Sequence, residues 1–130
     1  MAELDNNVRY LQIAFNYDLG MVNQILPRIP QSDRILIEAG TPYIKLTGMN
    51  GVRAIRQRWA GHIVADLKVL DGAMAEVDMA RRAGATAATV VGNAPPETLN
   101  LFIERCAQLN MLSMIDLLGV WDPLDILRPL

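Results

Sequence analysis

Asp66, Lys68 and Asp71 fall within six residues, in Ala65-Asp66-Leu67-Lys68-Val69-Leu70-Asp71, directly after the apolar run Ile63-Val64-Ala65. A strand alternates its faces, so Asp66 and Lys68 are expected to point the same way, about 7 Å apart along the strand. Asp71 falls beyond the strand, on the turn into the next helix. Charges gathered at a strand tip are costly to desolvate unless they pair or work on something. The pattern recurs along the chain. Asn16, with Asp18 close by, follows the first apolar run, Glu38 the second, Gly92-Asn93 the fourth and Asp116 the fifth. Glu38 and Asp66, on neighbouring strands, offer the two carboxylates that Mg²⁺ prefers, with waters and substrate oxygens completing its shell. Such a cation would polarise a carbonyl and stabilise an enediolate. Lys68 would add positive charge where an oxyanion develops, or move a proton.

The elements that must hold these residues can be read from the apolar pattern. Five short runs read as buried parallel strands: Tyr10–Phe15, Ile35–Ile37, His62–Ala65, Ala87–Val91 and Leu112–Ile115. They recur every 24 to 28 residues, room for a strand, a helix and two short loops. Between them lie helical stripes. Leu19, Val22 and Ile25 form the first, closed by Pro27 and Pro30. Met49, Val52, Ile55 and Trp59 form the second. Ala73, Val77 and Ala80 form the third, with Gly84 as its C-cap. Leu99, Phe102, Cys106 and Leu109 form the fourth, started by Pro95-Pro96-Glu97-Thr98. A further helix begins at Asp122-Pro123. The expectation is a single α/β domain over residues 1–130, with about five parallel strands and four to five helices. In parallel α/β folds ligands bind at the carboxyl ends of the strands, where the charges lie.

Composition narrows the function classes. The chain has 130 residues, 52% hydrophobic and 20% charged, with a net charge of −2. It should fold as one modest domain. That charge balance argues against a pooled basic surface for nucleic acid and leaves a local patch open. The lone Cys106 excludes an internal disulfide framework. No apolar run approaches the roughly 20 residues needed to span a bilayer. The acidic start Met1-Ala2-Glu3-Leu4-Asp5 is unlike a signal peptide. A cytoplasmic protein without membrane or nucleic-acid partners is expected.

Four segments occur together, in order: Leu11-Gln12-Ile13-Ala14, Ile37-Glu38-Ala39-Gly40-Thr41-Pro42, Ala65-Asp66-Leu67-Lys68-Val69-Leu70-Asp71 and Ile115-Asp116-Leu117-Leu118-Gly119-Val120. The chain resembles the orotidine 5′-phosphate decarboxylase superfamily from about Tyr10 to Pro123. The similar branch is the one with 3-hexulose-6-phosphate synthase and 3-keto-L-gulonate-6-phosphate decarboxylase. The resemblance implies part of a (β/α)8 barrel and a homodimer with active sites at its interface. It implies Mg²⁺ on Glu38 and Asp66, catalytic Lys68, Asp66 and Asp71, and substrate contacts from Asn16, Glu38 and Asp116. Asp71 would reach into the partner's site. The implied chemistry is that of a carbon–carbon lyase working through a phosphosugar enediolate. The synthase adds formaldehyde to ribulose 5-phosphate, whereas the decarboxylase loses CO₂.

Two departures shape the expectation. Asn16 stands where the family usually has Asp, which removes a charge beside the substrate. The family's phosphate-binding loops follow strands seven and eight, and its acid/base histidine follows strand six. None has a counterpart in these 130 residues. His62 precedes the third strand, at the opposite end, and reads as a surface or loop residue. An incomplete barrel would expose two sheet edges. A second copy or a complementary half-barrel chain is the expected cover. The alternative to a lyase is therefore a non-catalytic half-barrel subunit or fragment that needs a partner to complete the phosphate site. Trp59 and the methionines read as core or interface packing. Cys106 reads as inert, and Trp121 as a cover for an open edge. Gly92-Asn93-Ala94-Pro95 reads as a plain turn.

Overall fold

The structure is a computed structural model describing residues 3–130. Its strands are β1 (Leu11–Phe15), β2 (Ile35–Ala39), β3 (Ile63–Val69), β4 (Ala87–Val91) and β5 (Leu112–Asp116). Its helices are α1 (Leu19–Ile25), α2 (Thr41–Thr47), α3 (Met49–Arg56), α4 (Ala73–Ala83), α5 (Pro96–Gln108) and α6 (Pro123–Leu127). A 3-10 turn, Leu26–Arg28, extends α1. The strands form one parallel sheet in the order β1-β2-β3-β4-β5, so β1 and β5 are its edges.

Among the described residues six helices stand where four to five are expected. The extra one is α2, whose sequence reads as part of the loop after β2. Gly40 precedes it, Pro42 sits in its first turn, and its backbone turns at Gly48, where φ is +62°. Gly48 caps α2 at one end and starts α3 at the other, so one loop-and-helix segment becomes two helices. Gly84 ends α4 with φ +105°, the left-handed C-cap that glycine supplies without a Cβ penalty.

Period-2 alternation sends each strand's side chains to two faces. On one face Ile37, Ile63, Ala65, Ala88 and Val90 pack against Val52, Ile55, Val77, Ala80, Phe102 and Cys106 from the helices. Trp59 is buried in this core, as its place in the α3 stripe predicts. On the other face Leu36, Val64 and Ala87 pack with Leu4, Tyr10, Leu112 and Met114. This second face is an apolar floor. Glu38, Asp66, Thr89 and Asp116 each come two residues after a floor residue on their strands. Alternation therefore places them on the same face, one step nearer the carboxyl ends.

The loop entering β3 is fixed by Arg56. Its guanidinium donates to the carbonyls of Gly84 at 2.9 Å, Trp59 at 2.7 Å and Gly61 at 3.0 Å. Three charge-assisted hydrogen bonds hold this half-buried cation without a carboxylate. Trp121, expected over a sheet edge, is fully exposed in the loop between β5 and α6. Met111 is buried, whereas Met21, Met74 and Met79 are exposed.

Candidate active site at the strand tips

Asp66 and Thr89 are the two buried polar residues among those described, each 8% exposed. The Thr89 hydroxyl donates to Asp66 Oδ1 at 2.8 Å. Lys68 Nζ donates to Asp66 Oδ1 and Oδ2 at 3.1 and 3.0 Å, and to Asp116 Oδ2 at 2.5 Å. The ammonium thus bridges the tips of β3 and β5. Asp116 Oδ1 also accepts from the Leu118 N–H at 2.9 Å, which fixes the carboxylate. Glu38 Oε2 accepts from Gln12 Nε2 at 2.6 Å. Gln12 sits two residues before Ala14, the β1 residue opposite Glu38, so it reaches Glu38 diagonally.

Asp66 and Lys68 converge for a reason other than plain alternation. Ala65 pairs with Ala88 and Val69 with Val90, so three residues of β3 face Thr89 alone. Lys68 takes φ +47° in this irregularity, a backbone region that residues other than glycine rarely enter. Leu67 packs towards the helices, while the two charged residues reach the other face. The loop after β2 also braces this point: the Thr41 hydroxyl donates to the Asp66 carbonyl at 2.7 Å.

The electrostatics follow from these contacts. Burial alone would raise the Asp66 pKa, but hydrogen bonds from Lys68 and Thr89 outweigh it and hold the carboxyl below its usual range. Burial raises the Glu38 pKa, Gln12 opposes the rise, and the Asp66 charge adds to it. Burial would lower the Lys68 pKa, yet Asp116 and Asp66 together raise it. Asp116 is lowered, chiefly by Lys68 and then by the Leu118 N–H.

Glu38 and Asp66 supply oxygen donors only, and no three His, Cys, Asp or Glu residues converge on one point among the described residues. A pair of carboxylates with open positions fits Mg²⁺, which keeps waters and substrate oxygens, better than a cation needing an all-protein cage. The repulsion that helps raise the Glu38 pKa is also what a bound cation would relieve.

Asn16 follows β1 and lies against Gly40: a Cβ on Gly40 would come within 1.8 Å of Asn16 Oδ1. Asp71 lies on the exposed turn before α4, as expected, and joins no hydrogen bond or ion pair among the described residues. Its charge adds to burial in raising the Glu76 pKa. His62 lies at the other end of the sheet, its Nδ1 3.0 Å from Thr86 Oγ1. There it lines a cavity of about 560 Å³ with Asp33, Arg34 and Tyr10, none of them from the strand-tip cluster. Burial pushes the Cys106 thiol up to about 12, consistent with an inert core cysteine. Gln12, Thr41 and Thr89 are the residues that sequence reasoning did not single out. For Gln12 and Thr89 the signal is a polar residue inside an otherwise apolar strand, and for Thr41 a hydroxyl at the first position of the helix that follows β2.

The profile of the Orotidine 5'-phosphate decarboxylase / HUMPS family matches residues 9–129. The chain is 43% identical over 123 residues to the Bifunctional enzyme Fae/Hps of Methanothrix thermoacetophila, spanning 93% of this chain and 31% of that protein. The 3-hexulose-6-phosphate synthase of Salmonella typhimurium superposes with a TM-score of 0.77 at 27% identity, over 82% of this chain and 51% of that one. The 3-keto-L-gulonate-6-phosphate decarboxylase of Vibrio cholerae gives 0.80 at 27%, over 90% and 55%. The chain therefore spans about a third of the curated relative and about half of each solved barrel. Its sheet is a partial (β/α)8 barrel. Among the described residues, no helix is long and apolar enough to cross a membrane.

Proposed function

The chain belongs to the Orotidine 5'-phosphate decarboxylase / HUMPS family, and on that premise we propose that its strand-tip cluster serves a phosphosugar lyase. The reaction is addition of formaldehyde to ribulose 5-phosphate, or its reverse, in a cytoplasmic protein. The observation that carries this reading is the Lys68 ammonium held between Asp66 and Asp116, with Glu38 alongside.

Glu38 and Asp66 would hold Mg²⁺, which when bound supplies a Lewis acid for the substrate carbonyl. Lys68 holds positive charge, and a transferable proton, where the enediolate oxygen develops. Asp66 and Asp116 keep that ammonium charged and aimed. Gln12 fixes one oxygen of Glu38, leaving the other for a ligand. Asn16 and Asp116 flank the substrate. Asp71, on its exposed turn, would extend the site into a second copy. Residues 1–130 act as one partial-barrel domain.

A second reading is a non-catalytic half-barrel that requires a complementary chain. The outer edges of β1 and β5, which pair with no other strand among the described residues, favour it. One experiment separates the two. The first five βα units of the synthase relative are replaced by residues 9–129, and formaldehyde fixation is followed with Mg²⁺ and ribulose 5-phosphate. The lyase reading expects turnover that Lys68→Met abolishes. A folded chimera without activity would leave only the second reading.

A further inference from the structure

We infer that Thr89 is a positioning residue, and that its hydroxyl sets the Lys68 ammonium between Asp66 and Asp116. This inference rests on the reading of Lys68 as the working cation of the site, although its test does not. Where β3 presents three residues to one residue of β4, the regular ladder cannot satisfy the Lys68 backbone. The Thr89 hydroxyl replaces it, accepting from the Lys68 N–H at 2.9 Å and donating to Asp66 Oδ1 at 2.8 Å. One oxygen thus holds the backbone of the lysine and the carboxylate that the lysine meets. The left-handed turn at Lys68, φ +47°, is the conformation this contact retains. It returns the side chain over Asp66 and lets Nζ reach Asp116 across β4. A serine hydroxyl can make both bonds, whereas a valine of the same shape can make neither.

The test is nuclear magnetic resonance on the 130-residue chain, without substrate or metal. The readouts are exchange of the Lys68 amide and the strong intraresidue HN–Hα contact that marks a positive φ. In the wild type both a protected Lys68 amide and the left-handed contact are expected. Thr89→Val should lose both while the other β3 amides stay protected, and Thr89→Ser should restore both. A folded Thr89→Val that keeps the left-handed contact overturns the proposal. Should that variant fail to fold, the wild type and Thr89→Ser decide: a Lys68 amide exchanging as freely as an exposed loop amide overturns it, and protection in both supports it. No turnover is measured here, so failure of the lyase reading and failure of this inference are separate outcomes.

Discussion

Lys68 and Asp116 meet at 2.5 Å although 48 residues separate them. They approach from β3 and β5 across the intervening strand β4, so this contact locks the order of three strands at their carboxyl ends. It is also the point at which the fold and the proposed chemistry share the same atoms.

Replacing Asp116 with Asn leaves the shape but removes the charge that Lys68 meets. The Lys68 side chain is 32% exposed, so the loss should fall near the low end for a hydrogen bond to a charged group, about 1.5 kcal/mol. Urea unfolding at neutral pH checks it. An unchanged midpoint would show that the pair contributes nothing to stability.

Acid sensitivity should have a source away from the site. Arg105, on α5, grips Asp78, on α4, through Nε at 2.7 Å and Nη2 at 3.1 Å. The hydrogen bonds from Arg105 hold the Asp78 carboxyl below its usual range. A depressed folded pKa means stability that is present above the unfolded value, about 3.9, and lost as the pH falls through the folded one. Asp78→Asn should therefore flatten the stability profile below about pH 4 and leave its slope at neutral pH unchanged. Unfolding curves of both proteins from neutral to acid pH would show it, and parallel slopes throughout would refute it.

Weak Mg²⁺ binding should depend on both strand-tip carboxylates. Calorimetric titration of the wild type should give heats that vanish in Glu38→Gln and Asp66→Asn. Equal heats from all three proteins would remove the metal role.

The 130-residue chain alone should turn over ribulose 5-phosphate and formaldehyde well below the ordinary enzyme range, that is, below about 1 s⁻¹. The cluster of Asn16, Glu38, Asp66, Lys68 and Asp116 contains one cation, already held by two carboxylates. A phosphate dianion finds no free positive charge in it to anchor and orient the reacting end. Faster turnover by the purified chain would mean that an anchor exists elsewhere.

Self-association is expected from the surface. Trp121 is 100% exposed and Leu118 69%, with Leu124 and Leu127 exposed beside them next to the edge strand β5. Apolar area on this scale beside an unpaired strand favours contact with another chain. Sedimentation at micromolar concentration should show species larger than the monomer, reduced by Trp121→Glu. A clean monomer in the wild type would refute this.

Much of this architecture is legible in the sequence because buried parallel strands leave continuous apolar runs. All five strands and the stripes of α1, α3, α4 and α5 follow from periodicity alone. The helix α2 did not, because Gly-Thr-Pro after β2 reads as loop when Gly48 is not recognised as a shared cap. Glu38, Asp66, Lys68 and Asp116 were found as polar interruptions of apolar strands. The φ +47° turn at Lys68 was invisible, because a register irregularity is a property of two strands together. Gln12 and Thr89 do not stand out because each is an uncharged polar residue inside its strand, not beyond the strand's end as Asn16 is. Their importance lies in the neighbouring strands they reach.

The close approach of Asn16 to Gly40 constrains how this protein can change by mutation. At position 40 any side chain collides with Asn16 and with the Phe15 carbonyl, so that residue is held as glycine. At position 16 the carboxamide and a carboxylate have nearly the same outline, and their codons differ by one base. A negative charge at the first strand tip is thus one mutational step away, with no compensating change needed at its glycine neighbour. The site's electrostatics can drift while its geometry cannot.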